Sequence, residues 1–197
     1  MTVMAPKNLW ELRAMMEFAM DYNAPLAIRY PRGTAYRGLR EYRQPIVYGK
    51  GELLCEESDI ALLAVGSMVS TAEHIREKLK EDGYSCSLAN GRFVKPFDKE
   101  LTERLAKNHR LLVTLEENVL QGGYGLAVTA YIHSHYPEVK VVNIALPDAY
   151  VEHGNVSLLR KGLGIDSDSI IRRLKEEGWL SGIHREENGE ERQRPSE

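Results

Sequence analysis

Hydrophobic positions along the chain alternate between short continuous runs and runs spaced every three or four residues. Residues 60–65 are wholly aliphatic, which is typical of a strand buried on both faces of a parallel sheet. The next segment keeps its apolar side chains on one helical face as far as Gly83, where glycine can close the helix. The same alternation predicts a strand or hairpin at 46–55, strands at 86–89, 111–115 and 139–146, and helices at 98–107, 124–136, 156–161 and 167–177. This order predicts an α/β fold, a three-layer α/β/α sandwich with a mostly parallel sheet.

The first residues follow a separate pattern. Asn8 and Glu11 match a capping box before an amphipathic helix at 9–21, and residues 25–30 predict a short strand. An arginine-rich segment with little aliphatic content comes next, which is typical of a surface linker. We therefore expect the end of one domain at 1–33, a linker at 34–45, a second domain at 46–182 and a disordered tail at 183–197.

Composition and charge exclude several function classes. The chain has 197 residues, 43% of them hydrophobic and 28% charged, and a formal net charge of -3, so we expect no nucleic-acid partner. Charged residues interrupt every apolar run before it reaches the roughly 20 residues of a membrane span, so we expect no membrane association. Cys55 and Cys86 lack CxxC spacing, which favours reduced thiols in the cytoplasm. No zinc-ligand cluster, GxGxxG motif or P-loop is present.

Polar residues follow the predicted strands at their carboxyl ends, where open parallel sheets bind ligands. Arg92 follows the strand at 86–89, and without further information an arginine there is commonly solvated or ion-paired. Glu116 and Glu117 follow the next strand, but adjacent strand residues point in opposite directions, so we expect helix capping or an interface contact from one of them and assign neither to catalysis.

Two further features leave alternatives open. The segment from Gly122 to Gly125 begins a helix and could cradle a phosphate, although close packing of the helix on the sheet or on a partner is the stronger interpretation. His153 lies in the loop after the strand at 139–146, where a capping or packing role is favoured over catalysis.

Four segments together resemble one enzyme family. They are Arg29-Tyr30-Pro31-Arg32-Gly33, Arg92-Phe93-Val94-Lys95-Pro96, Glu116-Glu117-Asn118 with Gly122-Gly123, and Leu146-Pro147-Asp148 with Glu152-His153-Gly154. In this order and spacing they are similar to the C-terminal domain of the 1-deoxy-D-xylulose-5-phosphate synthases, members of the transketolase superfamily. Phe97 stands where the family usually has leucine.

The resemblance implies a thiamine-diphosphate- and Mg2+-dependent transferase of isoprenoid precursor and thiamine biosynthesis. Such enzymes condense pyruvate with glyceraldehyde 3-phosphate and release carbon dioxide. It also implies that Arg29 and Arg92 bind the phosphate of this acceptor, which fits the paired donors of a guanidinium. We expect Arg32 to be structural. No residue of the chain is expected to be catalytic.

The family's Gly-Asp-Gly cofactor motif and its activating glutamate are not found in the sequence. We therefore expect an isolated chain that binds no cofactor and is inactive, supplying phosphate-binding arginines and homodimer contacts, with Tyr124 and its glycines as a close-packing surface. Two alternatives stay open: a natural split subunit of a transketolase-like enzyme, or a stand-alone regulatory module that binds small anions.

Overall fold

The computed structural model describes residues 1–183. Its helices and strands, in chain order, are β1 (Thr2–Met4), α1 (Leu9–Asp21), β2 (Leu26–Ile28), β3 (Glu52–Cys55), β4 (Ile60–Ala64), α2 (Met68–Glu81), β5 (Cys86–Asn90), β6 (Phe93–Lys95), α3 (Lys99–Asn108), β7 (Leu111–Val119), α4 (Tyr124–His135), β8 (Lys140–Leu146), α5 (Val156–Gly162) and α6 (Ser167–Glu176).

The larger sheet has the strand order β3-β5-β4-β7-β8. Every neighbouring pair is parallel except β3 with β5. Alternate residues of β4 enter opposite cores: Ile60 and Leu62 pack with α2 and α6, whereas Ala61 and Leu63 pack with α3 and α4. The sheet is thus covered by helices on both faces, which confirms the predicted three-layer fold.

A second, smaller sheet pairs the first residues of the chain with β6. Its order is β2-β1-β6, and β1 pairs with β6 antiparallel, Val3 opposite Lys95. The chain enters β6 directly from β5 through Arg92, whose φ of 53° turns the backbone from one sheet to the other. Neither β1 nor β6 was predicted, because each has three residues and its pairing depends on partners far away in the sequence.

Side-chain caps begin the helices where the sequence predicts them. The Asn8 carboxamide oxygen accepts a hydrogen bond from the Glu11 amide at 3.0 Å, Asp98 caps α3, and Asp166 caps α6. The Glu11 carboxylate completes a variant of the capping box, because it accepts from the amide of Lys7 rather than from that of Asn8.

The predicted tail at 183–197 lies outside the described residues except for Ile183, which packs against the core beside α6. Within residues 1–183, no helix combines the length and the apolar character that crossing a membrane requires.

Candidate functional site

A cleft lies at the carboxyl ends of β4 and β7, between the loop after β2 and the starts of α2 and α5. It consists of two adjoining cavities of about 350 and 570 Å3. The cavities share six lining residues, which are Tyr30, Pro31, Arg32, Ser67, Val156 and Arg160. This is the edge at which parallel sheets bind ligands, so the cleft is the candidate site.

Three arginines line the smaller cavity. Arg29 follows β2 and Arg32 lies three residues further, and both side chains are exposed. Arg160 approaches from α5, with 25% of its side chain exposed. The carboxylate that lines the same cavity is that of Glu117. The cleft is therefore cationic and suited to a small anion such as a phosphate monoester.

Glu117 holds Arg160 at the floor of the cleft. The Arg160 Nε and Nη2 groups donate to its two carboxylate oxygens at 3.0 and 2.9 Å, and the Ser67 hydroxyl donates to it at 2.6 Å. Burial alone would raise the pKa of Glu117, but the hydrogen bonds from Arg160 and Ser67 and the Arg160 charge hold that pKa below its usual range. The carboxylate thus stays ionised and orients the guanidinium.

Glu116 points to the opposite face of the sheet, as the sequence predicts. Its carboxylate accepts hydrogen bonds from the amides of Tyr124 and Gly125 at 3.0 and 2.7 Å, so it caps α4. Burial raises its pKa above the ordinary value, because desolvation outweighs the two amide bonds and the charge of Arg29. Since Glu116 already occupies these amides, the phosphate-cradle interpretation of this helix start is wrong, and the close-packing interpretation holds.

Arg92 lies in a buried network of charged side chains, and Lys7 of this network also lines the larger cavity of the cleft. The Arg92 Nε donates to Glu11 at 2.7 Å, its Nη2 lies 2.8 Å from Glu52, and its side chain is 2% exposed. Lys7 pairs with the same two carboxylates at 3.0 and 2.5 Å. The carboxamide of Asn90 donates to both oxygens of Glu11 at 2.9 Å. Two cations and two anions therefore neutralise each other between α1, β3 and β5.

Arg29 and Arg92 do not line the same cavity. Arg92 lines a different cavity, of about 330 Å3, beside α1 and the linker, and it also donates to the carbonyls of Gln44 and Pro45. Phosphate binding by Arg92 would require its guanidinium to leave these partners. That role stays a prediction, whereas Arg32, expected to be structural, lines both cavities of the cleft.

Two other sequence-based expectations meet different outcomes. Tyr124 is 2% exposed and lies within the core, so the expectation that it forms a partner-facing surface is wrong. The aromatic ring fills the space beside Gly91, where a Cβ would lie 2.5 Å from the Tyr124 hydroxyl. His153 is exposed in the loop after β8, and its capping or packing role stays a prediction.

The magnesium ion that the resemblance implies finds no grouped protein ligands in the described part of the chain. Among residues 1–183, no three His, Cys, Asp or Glu side chains are grouped so that they could hold a metal ion. The cation-rich cleft is also unsuited to a divalent metal.

Sequence reasoning missed Arg160 and Ser67 as cleft residues. Ser67 follows β4 at its carboxyl end and was interpreted only as a turn, although that position is where ligands meet a parallel sheet. The sequence contains no comparable signal for Arg160. This residue lies inside the short helix α5, and the course of the preceding loop brings that helix to the cleft.

Comparisons with known proteins identify the domain. The family described as "Transketolase, C-terminal domain" matches residues 49–170. A 1-deoxy-D-xylulose-5-phosphate synthase of Lachnoclostridium phytofermentans is 47% identical over 175 residues, which cover 88% of this chain and 28% of that protein. The synthase of Heliobacterium modesticaldum is 40% identical over 177 residues, covering 89% of this chain and 27% of that protein. The chain thus spans little more than a quarter of the length of these relatives.

Solved structures share the fold. A structure described as "Split gene transketolase, inactive beta4 tetramer" superposes with a TM-score of 0.82 at 24% identity, over 89% of this chain and 57% of that one. The transketolase of Campylobacter jejuni gives a TM-score of 0.64 at 19% identity, over 89% of this chain and 26% of that one. Because the family match covers more than half of its residues, the chain belongs to the transketolase C-terminal domain family.

Proposed function

We propose that this chain is the C-terminal part of a thiamine-diphosphate-dependent 1-deoxy-D-xylulose-5-phosphate synthase and binds the phosphate of the acceptor, glyceraldehyde 3-phosphate. The observation that carries the proposal is the arginine-lined cleft at the carboxyl ends of β4 and β7. The similarity to synthases of this name supports the reaction. Arg29 and Arg32 are the proposed phosphate ligands, because both are exposed and line one cavity.

Binding and orientation are the chemistry that these residues can supply. A guanidinium keeps its charge at physiological pH and offers paired donors to phosphate oxygens, so the cleft would hold the acceptor by the end remote from its reacting aldehyde. Fixing an acceptor in this way lowers the entropic cost of the carbon–carbon bond-forming step. The thiamine cofactor, its Mg2+ and the catalytic groups would come from the remainder of the enzyme, so we propose that the isolated chain is inactive.

The assembly belongs to the same proposal. We propose a homodimer. Tyr124 is buried within its own chain, so exposed residues would make the contacts between the two copies. A second candidate is a natural split subunit that completes its enzyme with another polypeptide. One solved structure with the same fold is described as "Split gene transketolase, inactive beta4 tetramer".

A chimera tests the proposed function. This chain would replace the matching residues of the Lachnoclostridium phytofermentans relative, and formation of the sugar phosphate from pyruvate and glyceraldehyde 3-phosphate would be measured. We expect synthesis that depends on both substrates. A folded chimera that binds thiamine diphosphate and decarboxylates pyruvate, yet never uses glyceraldehyde 3-phosphate, would contradict the proposal.

A further inference from the structure

We propose that Arg160 is a third ligand for the anion in the cleft and helps to select phosphorylated over unphosphorylated acceptors. The inference rests on the proposed function, because it adds a residue to the same site. Arg160 and Arg32 both line the two adjoining cavities, although they approach from elements more than a hundred residues apart in the sequence. An anion between them would contact both the loop after β2 and the short helix α5.

The guanidinium of Arg160 keeps donors free for a ligand. An arginine has five N–H groups. Glu117 accepts one from Nε and one from Nη2, and the described residues supply no further hydrogen-bond acceptor to this side chain. Both N–H groups of Nη1 and one of Nη2 are thus available, and the side chain is 25% exposed and lines both cavities of the cleft.

The ion pair with Glu117 orients Arg160 for ligand binding and does not cancel the positive charge of the cavity. Three guanidinium groups line the smaller cavity beside the one carboxylate of Glu117, because Glu116 directs its own carboxylate to α4. The net charge there favours a dianion. The bidentate contact also fixes the Arg160 rotamer before the ligand arrives, which lowers the entropic cost of binding.

A purely structural role for Arg160 is the competing explanation. No residue of α5 is buried. In the competing explanation, the ion pair between Arg160 and Glu117 holds this short helix against β7 and has no other role. The two roles differ in whether the side chain responds to phosphate. Lys161 provides a matched control, because it is the next residue on α5, carries the same charge, is exposed and lines neither cavity.

The experiment is a titration of the full 15N-labelled chain with inorganic phosphate, with glycerol 3-phosphate and with glycerol, at constant ionic strength. The arginine side-chain N–H resonances report binding, and the backbone spectrum reports folding. We compare the wild type with Arg160→Gln, Arg160→Lys, Lys161→Gln and Arg32→Gln. We expect saturable shifts of Arg160 with both phosphates and none with glycerol.

Arg160→Gln should weaken phosphate binding about tenfold, because a charge-assisted contact is lost, and Lys161→Gln should leave the affinity unchanged. The phosphate affinity of Arg160→Lys should lie between those of the other two variants, because lysine keeps the charge but lacks the paired donors of a guanidinium. If Arg160→Gln does not fold, Arg160→Lys provides the test. If Arg160→Gln or Arg160→Lys binds like the wild type while Arg32→Gln is weakened, the inference falls and the proposed function stands. If no arginine of the cleft responds to phosphate in the wild type, both fall.

Discussion

At the scale of single residues, the network around Arg92 brings four charged side chains together in the interior of the protein. Arg92, Lys7, Glu11 and Glu52 are each at most 2% exposed in their side chains. Removing one member leaves an uncompensated buried charge, which is costly in a medium that solvates ions poorly. The network joins Glu11 of α1 to Glu52 of β3 and to Arg92 between β5 and β6.

We predict that Arg92→Met lowers the free energy of unfolding by about 3–5 kcal/mol, because Glu11 and Glu52 lose a shared cation. Urea unfolding followed by circular dichroism measures the change. Arg13→Met is the control, since its pair with Glu17 is exposed, and it should cost less than about 1 kcal/mol. Equal effects of the two substitutions would mean that the buried network contributes no more to stability than an exposed ion pair.

A pH dependence follows from Glu117. Its pKa is depressed in the folded chain, so the stability that it contributes is present above its ordinary value of 4.5 and is lost as the pH falls through the folded pKa. We predict that Glu117→Gln is less stable than the wild type at neutral pH and that the two converge below pH 4.5. A difference that stays constant from neutral to acid pH would contradict this assignment.

At the scale of elements, two glycines in helices should respond oppositely to alanine. A Cβ at Gly125 in α4 would lie 2.6 Å from both the Thr114 hydroxyl and the Asn143 carboxamide oxygen, whereas a Cβ at Gly162 in α5 would meet nothing within 4 Å. We predict that Gly125→Ala costs about 1–3 kcal/mol, as overpacking does, and that Gly162→Ala stabilises by up to about 1 kcal/mol. Thermal unfolding of both variants checks the pair. Destabilisation by Gly162→Ala would show that α5 has a constraint that its open surroundings do not reveal.

The sequence predicts elements whose signals are local. Residues 60–65 and the helix that ends near Gly83 were located to within a few residues, because an aliphatic run and a helical period require no knowledge of distant partners. β1 and β6 were missed because short strands are defined by pairing, here between Val3 and Lys95. Distant partners also decide where Arg92 points. The sequence places Arg92 at the end of a strand, but its positive φ and its hydrogen bond to Glu11 arise where the chain passes from the larger sheet into the smaller one.

At the scale of the whole molecule, the described residues offer neither a metal site nor the family's cofactor motif. We predict that the isolated chain binds no thiamine diphosphate in the presence of magnesium and does not decarboxylate pyruvate. Isothermal titration calorimetry checks the binding, with the intact Lachnoclostridium phytofermentans relative as the positive control. One site per chain with a micromolar dissociation constant would mean that these residues form a cofactor site by themselves.

The assignment of the cleft to the acceptor phosphate is tested most directly by steady-state kinetics of the chimera with glyceraldehyde 3-phosphate and with glyceraldehyde. Arg32→Gln should lower kcat/KM for the phosphorylated acceptor about ten- to hundredfold, as the loss of one charge-assisted contact of about 1.5–3 kcal/mol requires, and should hardly change that for glyceraldehyde. Arg92→Ala, measured alongside, decides whether that residue also binds the phosphate. Equal losses on both acceptors for Arg32→Gln, or a selective loss for Arg92→Ala alone, would contradict the placement of the phosphate in this cleft.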